Sequence, residues 1–61
     1  MTAEEYRAAR ERLGLSQREL AERLGVHVQT VKARESGRPI NGEAELAIRA
    51  LAAGHELRGE R

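Results

Sequence analysis

Apolar residues along this chain fall into four short sets at helical spacing, each followed by a glycine. Tyr6, Ala9 and Leu13 make the first, with Arg10 on the same face, and Gly14 follows. Leu20, Ala21 and Leu24 make the second, ended by Gly25. Val31 is the clear inward residue of the third, which Gly37 ends. Leu46, Ala47, Ala50 and Leu51 are read as the buried stripe of the fourth, with Ile48 less firmly placed, and Gly54 stops it. Spacings of three and four residues mark one face of an α-helix, whereas a strand would alternate at two. Glycine just past such a run supplies the left-handed residue on which helices commonly end.

The residues in front of these sets are helix starts. Thr2-Ala3-Glu4-Glu5 and Ser16-Gln17-Arg18-Glu19 are capping boxes, a hydroxyl followed three residues on by a carboxylate. They predict a first helix running to about Leu13 and a second opening after Ser16. Leu15 precedes the second cap and can staple the entry of the chain. Ala21 is small where two helices must cross closely, and apolar Val26 plugs the corner after Gly25. The third helix begins at His27 or Val28 and runs to Glu35 or Ser36. Arg38-Pro39-Ile40 is a loop with Ile40 as its inward anchor, and Asn41 caps a fourth helix over about Gly42 to Ala53. The expected fold is all-α, a compact bundle of four short helices with at most a frayed fifth turn. Residues 1–54 form the domain and 55–61 a charged, flexible tail.

Composition narrows the function. With 61 residues the chain holds one small core. It has no cysteine, which removes disulfides and thiolate metal sites and fits a reducing cytoplasm. No apolar run is long enough for a membrane span and no secretory signal pattern appears. His27 and His55 lie far apart, neither with a metal-ligand neighbour at helical spacing, and no nucleophile arrangement or phosphate-cradling loop is present. A catalytic role, a cofactor, a metal and a small-molecule substrate are therefore not expected. Net charge is only +1, but Lys32, Arg34 and Arg38 outnumber Glu35 between His27 and Gly42, a local excess that suits a phosphate backbone but by charge alone fits a solvated mixed-charge surface as well.

The stretch from Ser16 to Gly37, SQRELAERLGVHVQTVKARESG, reads as two helices joined by one tight turn. Its Leu15-Ser16-Gln17, Glu19-Leu20-Ala21, Leu24-Gly25-Val26, Thr30-Val31 and Glu35-x-Gly37 resemble the Cro/XRE-type helix-turn-helix of phage and bacterial repressors. The resemblance extends from Tyr6 to about Leu51 and implies a lambda-repressor-like bundle that binds double-stranded DNA, commonly as a homodimer. The helix that such proteins often add after the fourth has no counterpart here.

The resemblance also implies roles. The third helix would lie in the major groove, with Val28, Gln29, Lys32 and Ala33 meeting base edges. Gln29 can pair with adenine and Lys32 can reach guanine or phosphate, while Val28 and Ala33 offer only apolar contact to a thymine methyl. The alternative for Val28 is a surface position or packing against Val26. Gln17 would hold a backbone phosphate with the amide groups at its helix start, and Arg38 and Asn41 would grip from the other side. For these the plain alternative is a capped loop with a solvated arginine. Arg10 and Glu35 would form an ion pair that orients the third helix. His27 stands where a serine or threonine cap is usual; it either caps poorly, donates to a phosphate, or is a bare surface histidine. Arg34 replaces an apolar or aromatic residue, and its stem is expected to cover the core while its head reaches outward. The competing class is a protein-interaction module or antitoxin component, whose third helix would show a wider apolar stripe than Val28 and Ala33 provide.

Overall fold

A computed structural model describes residues 1–54; the charged tail expected over 55–61 lies outside the described residues. The described residues form α1 (Ala3–Arg12), α2 (Gln17–Leu24), α3 (Val28–Glu35) and α4 (Gly42–Ala52), with no strand among them. None of the described helices is long and apolar enough to cross a membrane.

Local chemistry sets the helix ends. Both capping boxes close in both directions. Thr2 Oγ1 accepts from the Glu5 N–H at 3.1 Å and Glu5 Oε1 accepts from the Thr2 N–H at 2.9 Å. Ser16 and Glu19 repeat the exchange at 3.0 and 2.8 Å. Each box satisfies two amide donors that the first helical turn would otherwise leave without partners. Asn41 Oδ1 caps α4 through the Ala44 N–H at 2.7 Å.

The turn between α2 and α3 depends on Gly25. Its φ of +73° is left-handed, a conformation glycine enters without the Cβ clash that penalises other residues. The Gly25 N–H donates to Glu22 O at 3.3 Å and the Val26 N–H to Ala21 O at 3.0 Å, the paired bonds of a Schellman ending. Val26 then turns inward against the core.

Tyr6, Leu20, Ala21, Val31, Ile48 and Leu51 make the core, with Ala9, Leu13, Leu15, Leu24, Val26, Val28 and Ile40 packed around it. α2 packs chiefly on α3, and α1 touches both α3 and α4, so α1 is the strut between the helix pair and the fourth helix.

The stripe expected on α4 is rotated. Its buried residues are Ala44, Ile48 and Leu51, whereas Leu46 is 68% exposed. Ala47 and Ala50 lie half-buried on the flank rather than at the centre of the buried face. Leu46 and Ile48 are two residues apart, about 200° around a helix, so only one of them can face the core. Ile48 shares its face with Leu51, three residues on. Leu51 belongs to both stripes, and Leu46, five residues and about 140° away from it, cannot share its face as Ile48 does.

Candidate nucleic-acid interface

Three helices meet at the carboxylate of Glu35, the last residue of α3. Its side chain is only 2% exposed and holds three partners, Arg10, Gln17 and Arg7. Arg10 on α1 donates from Nε to Oε2 at 2.6 Å and from Nη2 to Oε1 at 3.2 Å, a two-pronged pair. Arg10 Nη1 donates to Leu15 O at 2.8 Å, just ahead of α2. Gln17 Nε2, in the first turn of α2, donates to Glu35 Oε1 at 3.0 Å. The more exposed Arg7 stands 3.6 Å from the same oxygen.

Burial works against charge on Glu35. The hydrogen bonds from Arg10 and Gln17, and the positive charges of Arg10 and Arg7, outweigh it and hold the carboxyl below its usual range. The same pairing raises the pKa of Arg10, chiefly through the Glu35 hydrogen bond, against a smaller opposing effect of burial. The structure thus brings Arg10 and Glu35 together. The pair fixes where α3 ends relative to α1 and the start of α2.

At its other end α3 is capped by His27. The imidazole Nδ1 accepts from the Gln29 N–H at 3.0 Å. Only an unprotonated Nδ1 can accept, so the ring proton resides on Nε2, where it remains a donor. The histidine that stands in place of the usual hydroxyl is therefore a working cap and keeps an outward hydrogen to give. His27→Ala is expected to lower stability by about 1 kcal/mol, the usual value of an N-cap, and His27→Asn to restore it. Thermal unfolding at a pH where histidine is neutral checks this; an Ala variant as stable as the parent would show that the cap contributes nothing.

Between these two ends α3 presents an outward face. Gln29 and Lys32 are exposed, and Ala33 and Val28 are half-buried. Val28 packs its inner side against the core, so it is part support and part surface. Val28 and Lys32 line an open groove with Ser16, Gln17 and Arg18 from the start of α2. Base-facing and phosphate-facing candidates thus meet on one surface. Arg18, exposed beside this groove, did not emerge from sequence reasoning. The signal was present: a basic residue second in a helix whose start lies alongside the third helix. Arg38 and Asn41 lie exposed in and after the α3–α4 loop, outside that groove. Asn41 spends Oδ1 on its cap and has its amide hydrogens left to donate.

Arg34 corrects another expectation. Its guanidinium does not reach outward; it lies 5.8 Å from the centre of the Tyr6 ring and donates from Nη1 to the Tyr6 hydroxyl at 3.1 Å. Tyr6 is fully buried, and a buried phenol needs a hydrogen-bond partner. Arg34 supplies it while its charge gains from the ring face, so this cation belongs to the α1–α3 contact rather than to the outer surface.

Two short helices joined by a glycine turn, with a polar face on the second, make a helix-turn-helix. Residues 7–52 match the family model described as Helix-turn-helix. No curated protein and no solved structure matches the chain. The matched span runs from within α1 to the last residue of α4, and the chain belongs to the helix-turn-helix family, of the Cro/XRE type.

Proposed function

We propose that this chain is a small transcriptional repressor that binds double-stranded DNA sequence-specifically, with α3 in the major groove. The observation that carries the reading is the arrangement of α3: anchored at its end by Glu35, capped at its start by His27, and polar on its outward face with Gln29 and Lys32. A helix held at both ends can offer side chains to base edges at defined positions. In this reading Val28, Gln29, Lys32 and Ala33 face bases, and Gln17, His27, Arg38 and Asn41 face the phosphate backbone. One such helix contacts few base pairs, so the chain acts as a homodimer on an inverted repeat whose half-sites lie about one helical turn apart. It acts in the cytoplasm of a bacterial or phage-infected cell, and repression follows from blocking polymerase.

The test is selection of bound sequences from a random duplex pool at two salt concentrations. Enrichment of a palindrome, with affinity falling steeply as salt rises, is the expected result. Absence of any enriched sequence would overturn the reading and favour the protein-interaction or antitoxin alternative. On the selected site, Gln29→Ala is expected to weaken binding by about 1–3 kcal/mol and to relax the preference at one base pair. An equal loss on unrelated DNA would remove Gln29 from the base-reading set.

A further inference from the structure

Leu46 is the large apolar side chain left exposed among the described residues, at 68%. It sits midway along the outer face of α4, opposite Ala44, Ile48 and Leu51, which enter the core. At about 100° per residue, Gly42, Glu43, Arg49 and Ala50 all lie within about 60° of it. None of these four is buried. The set is symmetric along the chain: Glu43 and Arg49 stand three residues before and after Leu46, and Gly42 and Ala50 stand four. Gly42 has no explanation inside the chain. Its φ is not left-handed, and a Cβ there would meet nothing within 4 Å. Glycine is a poor helix former, yet neither its backbone nor its neighbours require it here.

We infer that this face of α4 docks a second copy of the chain, antiparallel, about a two-fold axis that passes Leu46. This names a dimer surface for the proposed repressor and rests on that reading for its use; the surface itself is argued from α4 alone. A two-fold interface must be complementary to itself. The axis lays Leu46 on Leu46 and sets Glu43 at the level of Arg49 of the other copy, twice over. Opposite charges then meet at both ends, whereas a parallel pair would set Glu43 against Glu43 and Arg49 against Arg49. Glu43 has no hydrogen-bond or ion-pair partner among the described residues. Arg49 holds Glu45 of its own helix through Nε at 2.8 Å and Nη2 at 2.7 Å, which leaves Nη1 to donate outward. Gly42 and Ala50 keep the flanks of Leu46 low, so the two helices can approach closely, and this is the use of the glycine that its own chain does not supply. No α4 residue lines the groove between α2 and α3, so the docked copy leaves that groove open to DNA. The footprint is small: 11 residues make a helix about 16 Å long, and one face of it falls short of the ~800 Å² per partner of stable complexes. The pairing is therefore weak in the free protein and is reinforced when neighbouring half-sites hold two copies side by side.

The full chain contains no cysteine, so Leu46→Cys gives one thiol per copy, placed on the proposed axis. With glutathione disulfide as oxidant, two such thiols become one interchain disulfide and the glutathione disulfide is reduced to two glutathiones. Leu46→Cys is expected to link about tenfold faster than Glu4→Cys, an exposed position on α1; equal rates would overturn the inference. Charge reversal tests the register. Glu43→Arg and Arg49→Glu each set like charges against one another, and in sedimentation each alone should associate about tenfold more weakly than the parent, the loss of two exposed ion pairs. Mixed together, the two variants should pair as strongly as the parent, because each copy then offers the charge that the other lacks. A mixture no stronger than either variant alone, or a parent that stays monomeric at every concentration, overturns the inference. The substituted positions on α4 are exposed, and circular dichroism verifies that each variant is folded. Neither readout contains DNA. If both fail while a palindrome is still enriched, the α4 surface falls and the DNA reading stands. Copies that link and pair but enrich no sequence keep the surface and remove the repressor reading.

Discussion

Arg10→Met is expected to cost about 3–5 kcal/mol of folding stability, the range for breaking a buried ion pair by removing one partner. The value should fall toward the lower end, because Gln17 and Arg7 still face the stranded carboxylate. Even so the loss is comparable to the whole stability that a core of this size commonly supplies, so a large part of the variant should be unfolded at room temperature. The reason lies in exposure: Glu35 is 2% exposed and Arg10 14%, so water replaces little of what the guanidinium provides. Methionine keeps the apolar stem of the arginine and isolates the charge effect. Urea unfolding followed by circular dichroism measures it. A loss inside the 0–1 kcal/mol range of exposed pairs would show that the pair does not hold α3. Adding Glu35→Gln to Arg10→Met should recover part of the loss, since the buried charge is then gone.

The same pair dictates a direction of pH dependence. Glu35 is held below its ordinary range in the folded protein, so folding favours its charged form. Its contribution is complete above the unfolded-state value of about 4.3 and is lost as pH falls through the lower folded value. Glu19, held down by the Ser16 backbone N–H, and Glu45, held down by the chain's amino group, add acid sensitivity of the same sign. Arg10→Met should therefore lose less stability than the parent between neutral and acidic pH.

Ile48→Ala should cost about 2–5 kcal/mol, while Leu46→Ala two residues away should change stability by no more than about 0.5 kcal/mol. Ile48 is fully buried between α4 and the rest of the core, so truncation leaves a cavity as well as losing transfer energy. Leu46 is 68% exposed and its truncation opens no void. Paired urea curves decide the rotation of α4: equal losses, or a larger loss at Leu46, would return the helix to the orientation expected from sequence. Because α4 packs on α1, and α1 carries Arg10, the Ile48 loss should also loosen the end of α3.

Sequence alone determined the elements that depend on near neighbours. Thr2, Ser16 and Asn41 as caps, the turn at Gly25 and the helix-turn-helix over Ser16 to Gly37 were legible because capping and glycine turns involve residues two to five apart. The Arg10–Glu35 contact spans 25 residues and came from resemblance to a family rather than from any local rule. Only the tertiary structure decided which face of α4 is buried. Alanine lines so much of that helix that periodicity offers two stripes, and the choice between Leu46 and Ile48 falls to the one that joins Leu51 in the shared core. Only the tertiary structure turned Arg34 inward, because the fully buried Tyr6 hydroxyl, 28 residues away, required a partner. It also gave Gln17 its carboxylate neighbour. In each case the deciding partner lies far along the chain, and burial sets the cost of leaving a polar group without one. Local propensities draw the helices, and long-range packing decides what each side chain on them does.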